Sequence, residues 1–164
     1  MRIRSTVFTL LILLFATGLS LSAQAAKKAP DFKLATTDGG TVALSQHRGE
    51  VVYVDFWATW CPPCRKSFPW MEKMHNKYSD LGLKIIAVSL DGKREVIDQF
   101  LKTMPASFTI AHDPQGKSAE NFGLKGMPTS YLIDMKGNVH ETHTGFKASD
   151  ENKLEAKIKA LLTQ

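Results

Sequence analysis

The stretch Val51-Val52-Tyr53-Val54-Asp55-Phe56, leading through Trp57-Ala58-Thr59-Trp60 into Cys61-Pro62-Pro63-Cys64, constrains this chain more than any other. A continuous β-branched and aromatic run of that length reads as a strand buried on both faces. Two prolines directly after a cysteine suit the first turn of a helix, where the missing N–H groups have no intrahelical partner to lose. Downstream, Phe68, Met71, Met74, His75 and Tyr78 recur at three- and four-residue spacings, which predicts a helix to about Asp80 with a kink at Pro69. A central strand that hands over to a helix at two cysteines needs further strands beside it, and the rest of the chain must supply them.

It does so in a regular order. Lys33 to Thr36 and Thr41 to Leu44 flank Asp38-Gly39-Gly40, a hairpin signal. Leu83 to Leu90 reads as a second buried strand, and Arg94 to Thr103 as a helix with Val96, Ile97, Phe100 and Leu101 on its apolar side. Strand, helix and parallel strand in that order predict a right-handed crossover. Phe108 to Ala111 suggests a short strand and Gln115 to Phe122 a short helix. Thr129 to Asp134 and Val139 to Thr144 form a predicted hairpin around Met135-Lys136-Gly137-Asn138, and a last helix runs from about Asp150 to Leu162. The expected class is α/β, a mixed central sheet with helices on both faces.

A chain of 164 residues with 43% hydrophobic residues supports one domain. Its first 25 residues have the build of a secretory signal: Arg2 and Arg4, an apolar stretch from Val7 to Leu21, and Ala23-Gln24-Ala25 as the cleavage site. The domain is then expected over 26–164. The apolar stretch falls short of the ~20 residues a bilayer span needs, which favours cleavage over a retained anchor. Loss of Arg2 and Arg4 leaves 19 basic against 16 acidic residues. So mild and dispersed an excess argues for a solvated surface, with no nucleic-acid or membrane partner expected from charge.

Cys61 and Cys64 are the only cysteines. A bridge between positions three apart closes so short a loop that it stabilises little, so chemistry explains the pair better than structure does. At a helix start, unpaired N–H groups and the positive end of the helix dipole stabilise a thiolate, which makes Cys61 the expected nucleophile. Cys64, one turn further in and more buried, is the expected resolving thiol. The same spacing could supply half of a zinc site. A second ligand pair is missing, because His140 and His143, three apart in a predicted strand, point to opposite faces. Asp55 is a lone carboxylate within the apolar strand. Burial should raise its pKa toward values useful for proton transfer.

The run from Val54 to Cys64 resembles the active site of the thioredoxin superfamily. With Ala29-Pro30-Asp31-Phe32, Leu44-Ser45 and, later, Gly126-Met127-Pro128-Thr129, the chain is similar to the TlpA/ResA-like branch of exported thiol:disulfide oxidoreductases. That likeness implies a thioredoxin fold with an N-terminal β-hairpin and a mid-fold strand-helix insert, much of it from Asp91 to Ile110. It implies a cis Met127-Pro128 bond against the cysteine pair, with Trp60, Met127 and Pro128 as a substrate-binding surface. It gives Asp55 the place of the buried acid beneath the resolving cysteine. Two departures stand out: Ser67 replaces a glutamate that this branch carries, and the strand Ile85 to Leu90 lacks the lysine that thioredoxins place near the buried acid.

The resemblance further implies exchange with the thiols and disulfides of exported proteins in the periplasm or outside the cell. It points to the reducing direction, in cytochrome c maturation or copper-centre assembly. A membrane-bound electron donor, a monomer, and no cofactor or metal are expected. A peroxiredoxin reading fails, because the Pro-x-x-x-Thr-x-x-Cys pattern is absent at both cysteines. The alternative is a Cu(I)-binding module or metallochaperone using the same two thiolates, for which no methionine or histidine cluster adjoins Cys61.

Overall fold

The computed structural model describes residues 27–164. The predicted leader lies outside the described residues. Seven strands form one sheet in the order β2-β1-β5-β4-β3-β6-β7. They are β1 Lys33–Thr36, β2 Thr41–Ala43, β3 Val51–Trp57, β4 Leu83–Ser89, β5 Thr109–His112, β6 Thr129–Ile133 and β7 Val139–Thr144. The helices are α1 Pro62–Tyr78, α2 Arg94–Thr103, α3 Lys117–Asn121 and α4 Glu151–Leu162. β3, β4 and β5 run parallel, while β6 is antiparallel to β3 and β1 is antiparallel to β5. The sheet is mixed because the chain crosses over through α1 and α2, which gives parallel neighbours, and then turns back in a tight β6–β7 hairpin.

Every residue of β3 is buried, as its unbroken apolar pattern requires for the middle strand of a covered sheet. Alternate residues feed two cores. Val51, Tyr53 and Trp57 pack with Phe68 and Met71 of α1, Ile97 and Phe100 of α2 and Ile158 of α4. Val52, Val54 and Phe56 pack on the other face with Phe32, Leu44, Ala119 beside Phe122, and Tyr131. Helices thus cover both faces, with α3 alone on the second. The α2–β5 segment is the mid-fold insert, and it adds a parallel strand beside β4.

Several boundaries differ from the sequence reading. Leu44 begins a 3-10 turn over Leu44–His47 and does not end β2, and β5 is shifted one residue along. α3 is shorter than Gln115 to Phe122, because Gly116 before it sits at φ +67°. α1 runs unbroken through Pro69 and hands over at Tyr78 to a 3-10 turn, Ser79–Leu81. Val96 was expected on the apolar side of α2 and is 37% exposed. Ile97 and Phe100 fill the buried face there, and Leu101 packs partly buried against the same core, since a helix of this length lays one narrow stripe on the core.

Candidate active site

The cysteines lie where β3 ends and α1 begins, at the end of the sheet formed by the carboxyl ends of its parallel strands. Cys61 is the N-cap of α1 in an extended conformation, φ −94° and ψ 106°, with Pro62 and Pro63 in the first turn. Its N–H donates to Ala58 O at 3.1 Å and its carbonyl accepts from Arg65 N at 3.2 Å. The two sulfurs are joined in a disulfide, S–S 2.06 Å, with Cα atoms 5.3 Å apart. Cys61 keeps 4% exposure and Cys64 none. That ordering suits an outer, attackable sulfur and an inner, protected one. No acidic residue occupies the first turn of α1, so the dipole at its start acts on Cys61 without an opposing charge on its own helix.

Around the pair, Trp60 stands out at 68% exposure next to the buried Cys61. The Met127-Pro128 peptide bond is cis. Met127 packs, partly buried, against the core cluster that contains both cysteines. Pro128 is buried, and its carbonyl accepts from Gly145 N at 2.8 Å. Ser67, where the branch has a glutamate, donates its hydroxyl to Cys64 O at 2.8 Å and is buried.

Asp55 shares the face of β3 that carries Tyr53 and Trp57, both in the cluster of the cysteines. It is 2% exposed, and its Oδ2 has no hydrogen-bond partner. Burial pushes its carboxyl well above the usual carboxylate range. Its strand neighbours are Ala87 and Ser130, so no cation stands across the ladder to offset that effect. Nearby, Tyr53 Oη donates to Ser130 Oγ at 2.7 Å. Burial and the neighbouring Asp55 push the Tyr53 phenol upward.

Sequence reasoning missed one cluster. Asp91, 3% exposed, follows β4 and accepts from Thr59 N at 2.9 Å, Thr59 Oγ1 at 2.8 Å and Ser89 Oγ at 2.8 Å. His112 Nε2 lies 2.7 Å from Asp91 O, to which it can only donate. The available signal was a lone acid directly after a buried strand, at the same end of the sheet as the cysteines. Among the described residues no group of three or more His, Cys, Asp or Glu side chains could hold a metal ion.

The pattern of the Redoxin family matches residues 24–158. The chain belongs to the Redoxin family. Within it, the chain is 31% identical over 159 residues to the thiol-disulfide oxidoreductase ResA of Bacillus thuringiensis subsp. konkukian, with 92% of each chain covered. It is 39% identical over 121 residues to ResA of Oceanobacillus iheyensis, covering 71% of this chain and 63% of that one. Among solved structures, a Chlorobium tepidum protein assigned as thiol:disulfide interchange protein DsbE superposes with a TM-score of 0.81. Its identity is 50%, over 84% of this chain and 96% of the other. This Redoxin protein therefore has the thioredoxin fold and is a ResA-like thiol-disulfide oxidoreductase.

Proposed function

We propose that this protein reduces disulfides of exported proteins, with Cys61 as the attacking thiol, Cys64 as the resolving thiol and Asp55 as the proton relay between solvent-free steps. The observation that supports this reading best is a nearly buried disulfide whose outer cysteine stands at the N-cap position of α1 beside an exposed tryptophan. In the reduced protein the Cys61 thiolate attacks one sulfur of the partner's disulfide. A mixed disulfide forms, and the other partner sulfur leaves as a thiolate and takes a proton. Cys64 then gives its proton to Asp55 and attacks Cys61 Sγ. The Cys61–Cys64 bond forms and the second partner thiol is released, so the partner gains two electrons and the pair loses them. In the reverse sense, a protonated Asp55 returns its proton to Cys64 when a donor opens the bond. Burial of Asp55 raises its pKa and so favours the protonated carboxyl in the resting disulfide.

Trp60 and Met127, backed by the buried Pro128, form the surface on which an extended partner segment docks beside Cys61. Resemblance to the exported branch supports cleavage after Ala25, a periplasmic or secreted location, and a monomer. It also supports re-reduction by a membrane-bound donor and service to cytochrome c maturation or copper-centre assembly. The test is an insulin-reduction assay with trapping variants. Cys61→Ser abolishes exchange, and Cys64→Ser accumulates partners as mixed disulfides through Cys61. Trapping by the Cys61→Ser protein instead would reverse the two roles.

A further inference from the structure

The four-residue turn that delivers Cys61 is held from outside the cysteine motif. Within it, Ala58 O accepts from Cys61 N. Thr59 offers both its N–H and its hydroxyl to one carboxylate, that of Asp91, through two separate oxygens. Ser89 Oγ supplies a third donor to that carboxylate at 2.8 Å. The backbone of Asp91 is fixed in turn: its N–H donates to Ser89 Oγ at 3.2 Å, and its carbonyl accepts from His112 on the inserted strand β5. The neighbouring Leu90 N donates to Trp57 O at 2.9 Å. By contrast Trp60, between Thr59 and Cys61, projects into solvent. Thr59 is therefore the last point at which the fold grips the chain before the nucleophile.

A carboxylate in that place has two effects. Three donors to a buried acceptor fix the turn, because releasing any one leaves a buried polar group unpaired. Its negative charge is also held on Thr59, two residues before a sulfur that must become negative to react, and a like charge in that neighbourhood disfavours ionisation. A less stable thiolate means a less stable reduced pair, hence a stronger reductant.

We propose that Asp91 is a positioning residue that holds the Cys61 turn through Thr59 and, by its charge, sets the ionisation of Cys61 and the reducing strength of the pair. This rests on the reading of Cys61 as the attacking thiol. The α2–β5 insert then has a use beyond widening the sheet, since His112 braces the residue that braces the site.

The test measures, on the full protein, the pH dependence of Cys61 alkylation and the equilibrium with glutathione. Asp91→Asn keeps the shape and hydrogen-bonding capacity and removes the charge. It lowers the apparent pKa of Cys61 by about half a unit. The exchange equilibrium moves about threefold toward the dithiol, equivalent to about 15 mV for a two-electron couple. Thr59→Val removes one donor and leaves the carboxylate less compensated, so it raises the pKa of Cys61, and Thr59→Ser restores the parental value. A merely structural role would alter stability and leave pKa and potential where they were. Parental values in both Asp91→Asn and Thr59→Val overturn the proposal, as does a shift of opposite sign. Should Asp91→Asn fail to fold, the Thr59 pair alone decides. A parent protein that alkylates first at Cys64 instead overturns the assignment of the attacking thiol, which is a distinguishable result.

Discussion

Asp55 occupies a site where ionisation is costly, with one carboxylate oxygen unpaired and strand neighbours that carry no charge. Its position was legible in the sequence, because a single acid inside a β-branched and aromatic run has few structural reasons to be there. Asp91 was not legible. An acid after a strand and before a glycine looks the same whether it faces water in a turn or closes on Thr59, 32 positions away in sequence. The two acids also differ in kind, one lacking donors and the other holding three. If Asp55 relays the proton of Cys64, Asp55→Asn slows resolution of the mixed disulfide by at least about a hundredfold. Attack by Cys61 changes little, because the helix start governs it. Single-turnover reduction of a model disulfide, following formation and resolution separately, checks this. Equal resolution rates in parent and variant would make Asp55 a structural residue.

At the level of elements, period and length carried most of the information. The unbroken run of β3, the spacing of Phe68, Met71, Met74 and Tyr78 in α1, and the limits of α2 all survive in the folded chain. Val96 shows where the reading stops: apolar neighbours on a helix do not reveal how wide the buried stripe is, since that depends on what packs against it. Turns were legible through glycine. Gly137, in the β6–β7 turn, has φ +82°, and an added Cβ would lie 2.6 Å from Arg48 Nη1 and 2.7 Å from Arg48 Nε. Arg48 can swing aside, but the left-handed backbone cannot be relieved as easily. Gly137→Ala therefore costs about 1–2 kcal/mol, and Gly137→Asn costs less because asparagine tolerates that region. Denaturant unfolding of the two variants checks the order, and a Gly137→Ala protein as stable as the parent would refute it.

For the molecule as a whole, the buried carboxyl of Asp55 couples redox chemistry to pH stability. Its folded pKa is raised above the unfolded one, so the folded state holds this proton more tightly. The stability linked to that proton is fully present below the unfolded value of about 3.9, and is lost as pH rises toward the folded pKa. Asp55→Asn removes this dependence. The stability gap between variant and parent therefore opens above pH ~4 and grows by up to about 1.4 kcal/mol per pH unit until the folded carboxyl ionises. Urea unfolding of the oxidised proteins across pH measures it, and parallel curves would remove the buried acid from the account.

The start of the described chain has a different consequence. Lys28 bridges to Asn138, Ala29 N donates to Gly137 O, and Val139 N donates to Lys27 O. This seam lies at the end of the sheet where β3 begins and β6 finishes, opposite the end that carries Cys61. Lys27 is thus held at one pole of the molecule while the sulfurs occupy the other. A tether attached there would leave the reactive pole facing outward, free to sweep past clients instead of pressing against its own mooring.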